Sequence, residues 1–225
     1  MKPLTVALGD DSVDWGRTGI RYGIYLVGLF CISLGTVLQA ESGLGVASLT
    51  CFATFAARAL GTSLGFMIAA TYAIYIAAQA LILRGKFQAR ILLEMVFAFS
   101  MGYFVDAIAA FVQVSPQGLL AQFICMLAAL VVTAFGASLM VQMEVVPNAP
   151  AGLVQVIADA LGTAFGNVKV VFDVSHVSAA LVGSLLLFGD IKGFGPTTVV
   201  SALFLGRIIN MIMSTVGRRA VSIVW

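Results

Sequence analysis

Few residues in this sequence could do chemistry, and they lie inside long apolar runs. Asp173 and His176 are three positions apart, which on a helix puts them on one face. An acid beside an imidazole can pass a proton along, so the pair reads as a proton relay or as a plain interhelical hydrogen-bonded pair. Asp106 and Asn210 occupy corresponding places near the ends of two apolar runs and could flank a shared site. Arg207, three residues before Asn210, could pair with Asp106, with Asp173 or with a substrate carboxylate, or snorkel to the interface. Glu94, one turn into its run, is expected to reach water near Arg90. Arg58 and Asp159 read as interfacial, and Gly102 and Gly206 as close-approach points between helices.

The usual catalytic signatures are missing. There is no Gly-x-Ser-x-Gly elbow, Walker loop or dinucleotide fingerprint, and the three cysteines (Cys31, Cys51, Cys125) form no CxxC. No metal, cofactor or enzymatic activity is expected. The net charge of +2 is too small for a nucleic-acid partner.

The elements that must position these residues are helices in lipid. The 225 residues are 61% apolar and only 10% charged, against about 25% charged in an ordinary soluble domain. Mean hydropathy is +1.07. Six runs, at 20–38, 66–83, 91–113, 119–142, 169–188 and 196–215, approach the ~20 residues a spanning helix needs. Two shorter apolar segments, 47–60 and 150–161, are better suited to re-entrant helices. With six crossings, Arg17 and Arg21, the Arg84/Lys86/Arg90 group, and Arg218 and Arg219 all fall on one side, which the positive-inside rule makes cytoplasmic. Both termini then lie inside. The reading divides the chain into a cytoplasmic segment 1–19, a first membrane half 20–113, an extracytoplasmic linker 114–118, a second half 119–215 and a cytoplasmic tail 216–225.

The halves resemble each other. Ala59-Leu60-Gly61-Thr62 recurs 101 residues on as Ala160-Leu161-Gly162-Thr163, and Gly35/Gly136 and Gly65/Gly166 keep that spacing. Farther along the spacing becomes 104, pairing Ala98 with Ala202, Gly102 with Gly206 and Asp106 with Asn210. Three crossings per half would invert the second half relative to the first, the plan of many secondary transporters. The expected fold is therefore all-α integral membrane, with six transmembrane helices and two short re-entrant helices in an inverted-topology repeat.

Each short segment follows a stretch ill suited to lipid-facing helix: Gln39 to Gly45, and Gln142 to Pro150. Irregular backbone at that depth must be buried in protein or line a cavity. Ser48 is expected to cap the first short helix, and Asn148 or Ala149 the second, with Pro150 in its first turn. Two helix N-termini would then face the midplane, where their N–H groups favour an anion or a carbonyl-bearing solute. Gly43, Gly45, Ser48, Asn148, Ala149, Asp106 and Asn210 are the expected solute-binding residues, and Asp173 with His176 the proton relay.

The stretches Ser42-Gly43-Leu44-Gly45-Val46-Ala47, Ala59 to Gly65, Gly193-Phe194-Gly195-Pro196-Thr197-Thr198 and Ala202 to Gly206 resemble the YczE/YyaS/YitT family of bacterial integral membrane proteins. The resemblance covers most of residues 20–215. It departs at Ser48 to Thr50, where many members carry an acid, and at Gly-Pro-Thr-Thr, where Gly-Thr is usual. It implies a bacterial cytoplasmic membrane and an expectation of transport, with no substrate. The expected function is passage of a small polar or anionic solute through the bilayer, with or without proton coupling, by a chain able to form homo-oligomers. The alternative is a non-transporting scaffold or accessory subunit.

Overall fold

The computed structural model describes residues 15–84, 90–143, 145, 148–191 and 193–217. Among them every regular element is helical. In order they are α1 (Trp15–Glu41), α2 (Ser48–Leu60), α3 (Leu64–Leu83), α4 (Arg90–Phe111), α5 (Leu119–Met143), α6 (Ala149–Leu161), α7 (Phe165–Phe188) and α8 (Pro196–Ile212), which ends in a π-helical turn, Met213–Gly217. Six are long and apolar enough to cross a membrane, and α2 and α6 are the two shorter apolar helices. Lys86, Glu144, Pro147, Lys192, Arg218 and Arg219 lie outside the described residues, as do residues 1–14.

Helix ends follow local chemistry more than hydropathy. The apolar run at 169–188 begins at Phe165 in the structure, because Asn167 is tolerated in a first turn that hydropathy alone discards. The two short helices end alike. Gly61 and Gly162 both adopt φ 63° and ψ 32°, a left-handed turn that glycine takes without a Cβ penalty. Thr62 and Thr163 then each donate a backbone bond of 3.0 Å, to Ala57 and Ala158.

The α1–α5 pair is the centre of the bundle, and the two helices run antiparallel. About half of the most apolar stretch of each is buried, 50% in α1 and 56% in α5, against 11% in α7 and 17% in α8. Glycines permit the approach. A Cβ on Gly136 would stand 2.5 Å from the Gly28 carbonyl oxygen, and one on Gly28 would stand 2.8 Å from that of Gly136. A Cβ on Gly35 would stand 2.9 Å from the Ala129 carbonyl oxygen. Backbone meets backbone here, so dispersion contacts accumulate without a hydrophobic driving force, as membrane helices require. Polar residues in this seam, Ser33, Thr36, Thr133 and Ser138, bond to carbonyls of their own helix one turn back.

The remaining helices pack around the pair in matching fashion. α4 lies on α1, and α8 on α5. α2 packs on α7 and α3, and α6 packs on α3 and α7. One contact has no counterpart: α3 packs closely on α4, whereas α7 and α8 stay largely apart.

Gly136→Ala should destabilise the protein by the ~1–3 kcal/mol typical of overpacking, read as a lower thermal unfolding midpoint in detergent. Gly23→Ala on the partner helix α1, where a Cβ meets nothing within 4 Å, should not. Equal midpoints for both variants would contradict the backbone-to-backbone seam.

Candidate functional site

The segment between α1 and α2 bends on two glycines, Gly43 at φ 73° and Gly45 at φ 95°. Gly45 is needed twice over: a Cβ there would also stand 2.6 Å from the Gly195 nitrogen. The segment lies against the loop before α8 as a short ladder, Val46 N–H to Gly193 O and Thr197 N–H to Leu44 O, each 3.1 Å. The two glycine-rich motifs, far apart in sequence, are thus one structural unit. Thr198 closes it by donating its hydroxyl to Val46 O at 2.7 Å, with the Cys51 thiol 3.7 Å from Thr198 Oγ1.

The N-terminus of α2 is held by an amide from the neighbouring span. Gln39, 1% exposed, accepts the Ala47 N–H at 2.9 Å and donates to Thr133 Oγ1 at 3.1 Å. This corrects the expected cap. Ala47 is the N-cap residue and Ser48 is already helical; Gln39 accepts the N–H of the cap residue itself, not one of the first-turn N–H groups that a capping serine would take.

The N-terminus of α6 is built similarly with different groups. Asn148 is its N-cap, as expected, although its side chain caps no N–H of the helix, and Pro150 fits the first turn. Gln79 of α3 donates from Nε2 both to Glu94 Oε2 at 2.9 Å and to Ala149 O at 3.2 Å, using both amide hydrogens. Glu94 is 2% exposed, so the expected contact with water is overturned: the carboxylate faces the interior. It lies against α6 at Gly152, where a Cβ would stand 3.0 Å and 3.1 Å from its two oxygens.

Between the two short helices, His176 Nε2 is hydrogen-bonded to the Tyr75 hydroxyl, and Nδ1 lies 2.7 Å from Phe172 O. Phe172 and Phe52 pack against the imidazole. Asp173 pairs with Lys169 one turn away. The expected Asp173–His176 pair is therefore replaced by Tyr75–His176 and Lys169–Asp173.

Asp106 and Asn210 are not brought together. Asp106 Oδ1 accepts the Gly65 N–H at 2.8 Å and Oδ2 accepts the Ser63 hydroxyl at 2.6 Å, so the carboxylate secures the start of α3. Asn210 is exposed on α8, as is Arg207, whose guanidinium lies 5.7 Å from the Phe204 ring centroid. Arg58 joins Asp190 in a bidentate pair at 2.5 and 2.8 Å, with its guanidinium over Phe188. Among the described residues, no group of three or more His, Cys, Asp or Glu could hold a metal ion.

A family model described as a family of unknown function, DUF6198, matches residues 19–214. The chain belongs to this family. Nothing in the match connects it by name to the YczE/YyaS/YitT proteins. No curated protein and no solved structure matches the chain.

Asp106→Ala should destabilise the protein by about 0.5–2 kcal/mol, the usual cost of a lost N-terminal cap, read from denaturation in detergent. Asp106→Asn should restore most of it, since one amide oxygen can still accept from Gly65. A full loss in the Asn variant would assign the carboxylate a role beyond capping.

Proposed function

We propose that this protein is a membrane transporter or channel for a small polar or anionic solute, built as an inverted-topology repeat with α2 and α6 as re-entrant helices. The observation that carries the reading is that both short helices begin inside the bundle, with Ser48, Ala149 and Pro150 buried. Spans alone explain neither helix. A break that exposes N–H groups within the hydrocarbon is costly, and in transporters such breaks hold the solute.

The internal matching supports the repeat. Tyr75 and His176 are themselves 101 residues apart, so they are counterparts in contact, as residues on a two-fold axis must be. The Gly28–Gly136 approach maps onto Gly35–Ala129 under the same spacing. The site then comprises the first turns of α2 and α6, reached through Gly43–Ser48 and Asn148–Ala149, with Tyr75 and His176 between them. The distribution of arginine and lysine supports a cytoplasmic side for both termini.

The one unmatched contact supports alternating access. α3 is sealed to α4 at Gly102, where a Cβ would stand 2.5 Å from Gly65 O and 2.9 Å from Ala69 Cβ. The corresponding Gly166 and Gly206 meet nothing within 4 Å. One half is closed and the other open, which is the relation expected of two repeats that exchange conformations. The close internal partnering of Gln39, Gln79 and Glu94 favours the second reading, an accessory subunit with a filled interior.

In liposomes, the purified protein should accelerate flux of at least one of chloride, nitrate, phosphate, formate, urea or glycerol, and His176→Ala should alter the pH dependence. Flux equal to that of empty liposomes across this set would favour the accessory subunit. Closure has its own check. With Cys31, Cys51 and Cys125 replaced, Val170→Cys and Gly206→Cys, which correspond to Ala69 and Gly102, should form an intramolecular disulfide under oxidation. Its absence, or disulfides only between molecules, would rule out closure of α8 on α7.

A further inference from the structure

We infer that Glu94 is a proton-binding site and that its protonation is coupled to the movement of solute past α6. The inference deepens the transport reading and rests on it for the coupling. The first argument is a comparison between the halves. At the spacing of 104, Glu94 corresponds to Thr198. Thr198, 3% exposed, secures the segment leading into α2 with a neutral hydroxyl. A neutral side chain therefore suffices to hold a short helix at this place. An ionisable group inside a span costs several times more, and such groups mark proton and ion pathways.

The second argument is the set of groups around the carboxyl. α3 contributes the Gln79 amide, α6 its first turn from Ala149 to Gly152, and α1 the Tyr25 ring, within electrostatic reach of Glu94. Arg21, one turn before Tyr25 on α1, donates to Met143 O at 2.8 Å. The Gln79 N–H bonds the carboxylate directly, and the first turn of α6 lies against it. Taking up the proton forms one O–H bond and cancels the charge that faces the start of α6. It weakens the hold of Gln79, whose other hydrogen is bonded to Ala149 O. Glu94 is thereby linked to the first turn of the helix proposed to bind solute.

The test uses full-length protein in nanodiscs and reads the carboxyl directly. Infrared difference spectra recorded over a pH titration should show a protonated-carboxyl band that appears as pH falls. The band should vanish in Glu94→Gln, shift in Glu94→Asp and persist in Glu41→Gln. A band unchanged in Glu94→Gln, or none in the wild type between about pH 5 and 9, overturns the site. If Glu94→Gln does not fold, the shift in Glu94→Asp decides the matter. Proton binding is read without any solute, so failed flux in liposomes leaves it standing, and a missing band leaves transport standing. For any solute that does move, Glu94→Gln should make its flux independent of an imposed pH gradient, and persistence of that dependence overturns the coupling.

Discussion

A backbone N–H inside lipid has no water to bond to, and the architecture of this protein depends on how that demand is met. A continuous spanning helix meets it internally. α2 and α6 begin within the bundle, so their first turns need outside acceptors or burial against protein. The structure answers with side chains drawn from other spans. Gln39 reaches from the end of α1 to accept the Ala47 N–H, whereas at α6 Gln79 donates to the Ala149 carbonyl and the first turn is buried against protein. The close α1–α5 seam brings Gln39 to Thr133, and the ladder between residues 44–46 and 193–197 holds the broken segment in place. Most polar side chains that are buried here serve such a break or bond back to their own helix.

In the proposed repeat the two halves share a plan and differ in chemistry. Gln39 serves α2 from the preceding span, whereas Gln79 serves α6 from a span of the other half. Thr198 stands where Glu94 stands, and Asn210 where Asp106 stands. The replacements run from acid to neutral in both cases. The sealed α3–α4 contact and the secured start of α3 belong to the half that carries the acids. The half with neutral residues has the open pair, α7 and α8, and Ala164 at the start of α7 makes no side-chain cap.

Much of the fold was legible in the sequence because lipid imposes length and composition on a span. The six long helices, the two short ones and the left-handed turns at Gly61 and Gly162 all follow from local residue type. The site was less legible, because its partnerships are long-range. His176 looked like a partner for Asp173 on the same face, yet Tyr75, 101 positions away, takes that place while Lys169 takes the aspartate. Ser48 had the right chemistry for a cap, but the cap falls one residue earlier, at Ala47, whose N–H is held by Gln39 from the end of α1. Glu94 appeared to be near water because only its distance from Arg90 could be read. Its burial follows from Gly152, whose missing side chain leaves room for a carboxylate. That signal, a glycine in the first turn of α6 and an acid inside α4, was present but could not be connected without the fold.

The contact between Tyr75 and His176 has a consequence for how the two halves diverged. Within the proposed repeat these residues are counterparts, so two identical halves would have set one side chain against its own copy. Such a pair has no preferred direction: either member can donate, and the two arrangements are equal in energy. A phenol facing an imidazole removes that degeneracy, since the two hold a shared proton with unequal strength. Where these two counterparts meet, the proposed repeat would have a sense of direction that duplication alone could not give it.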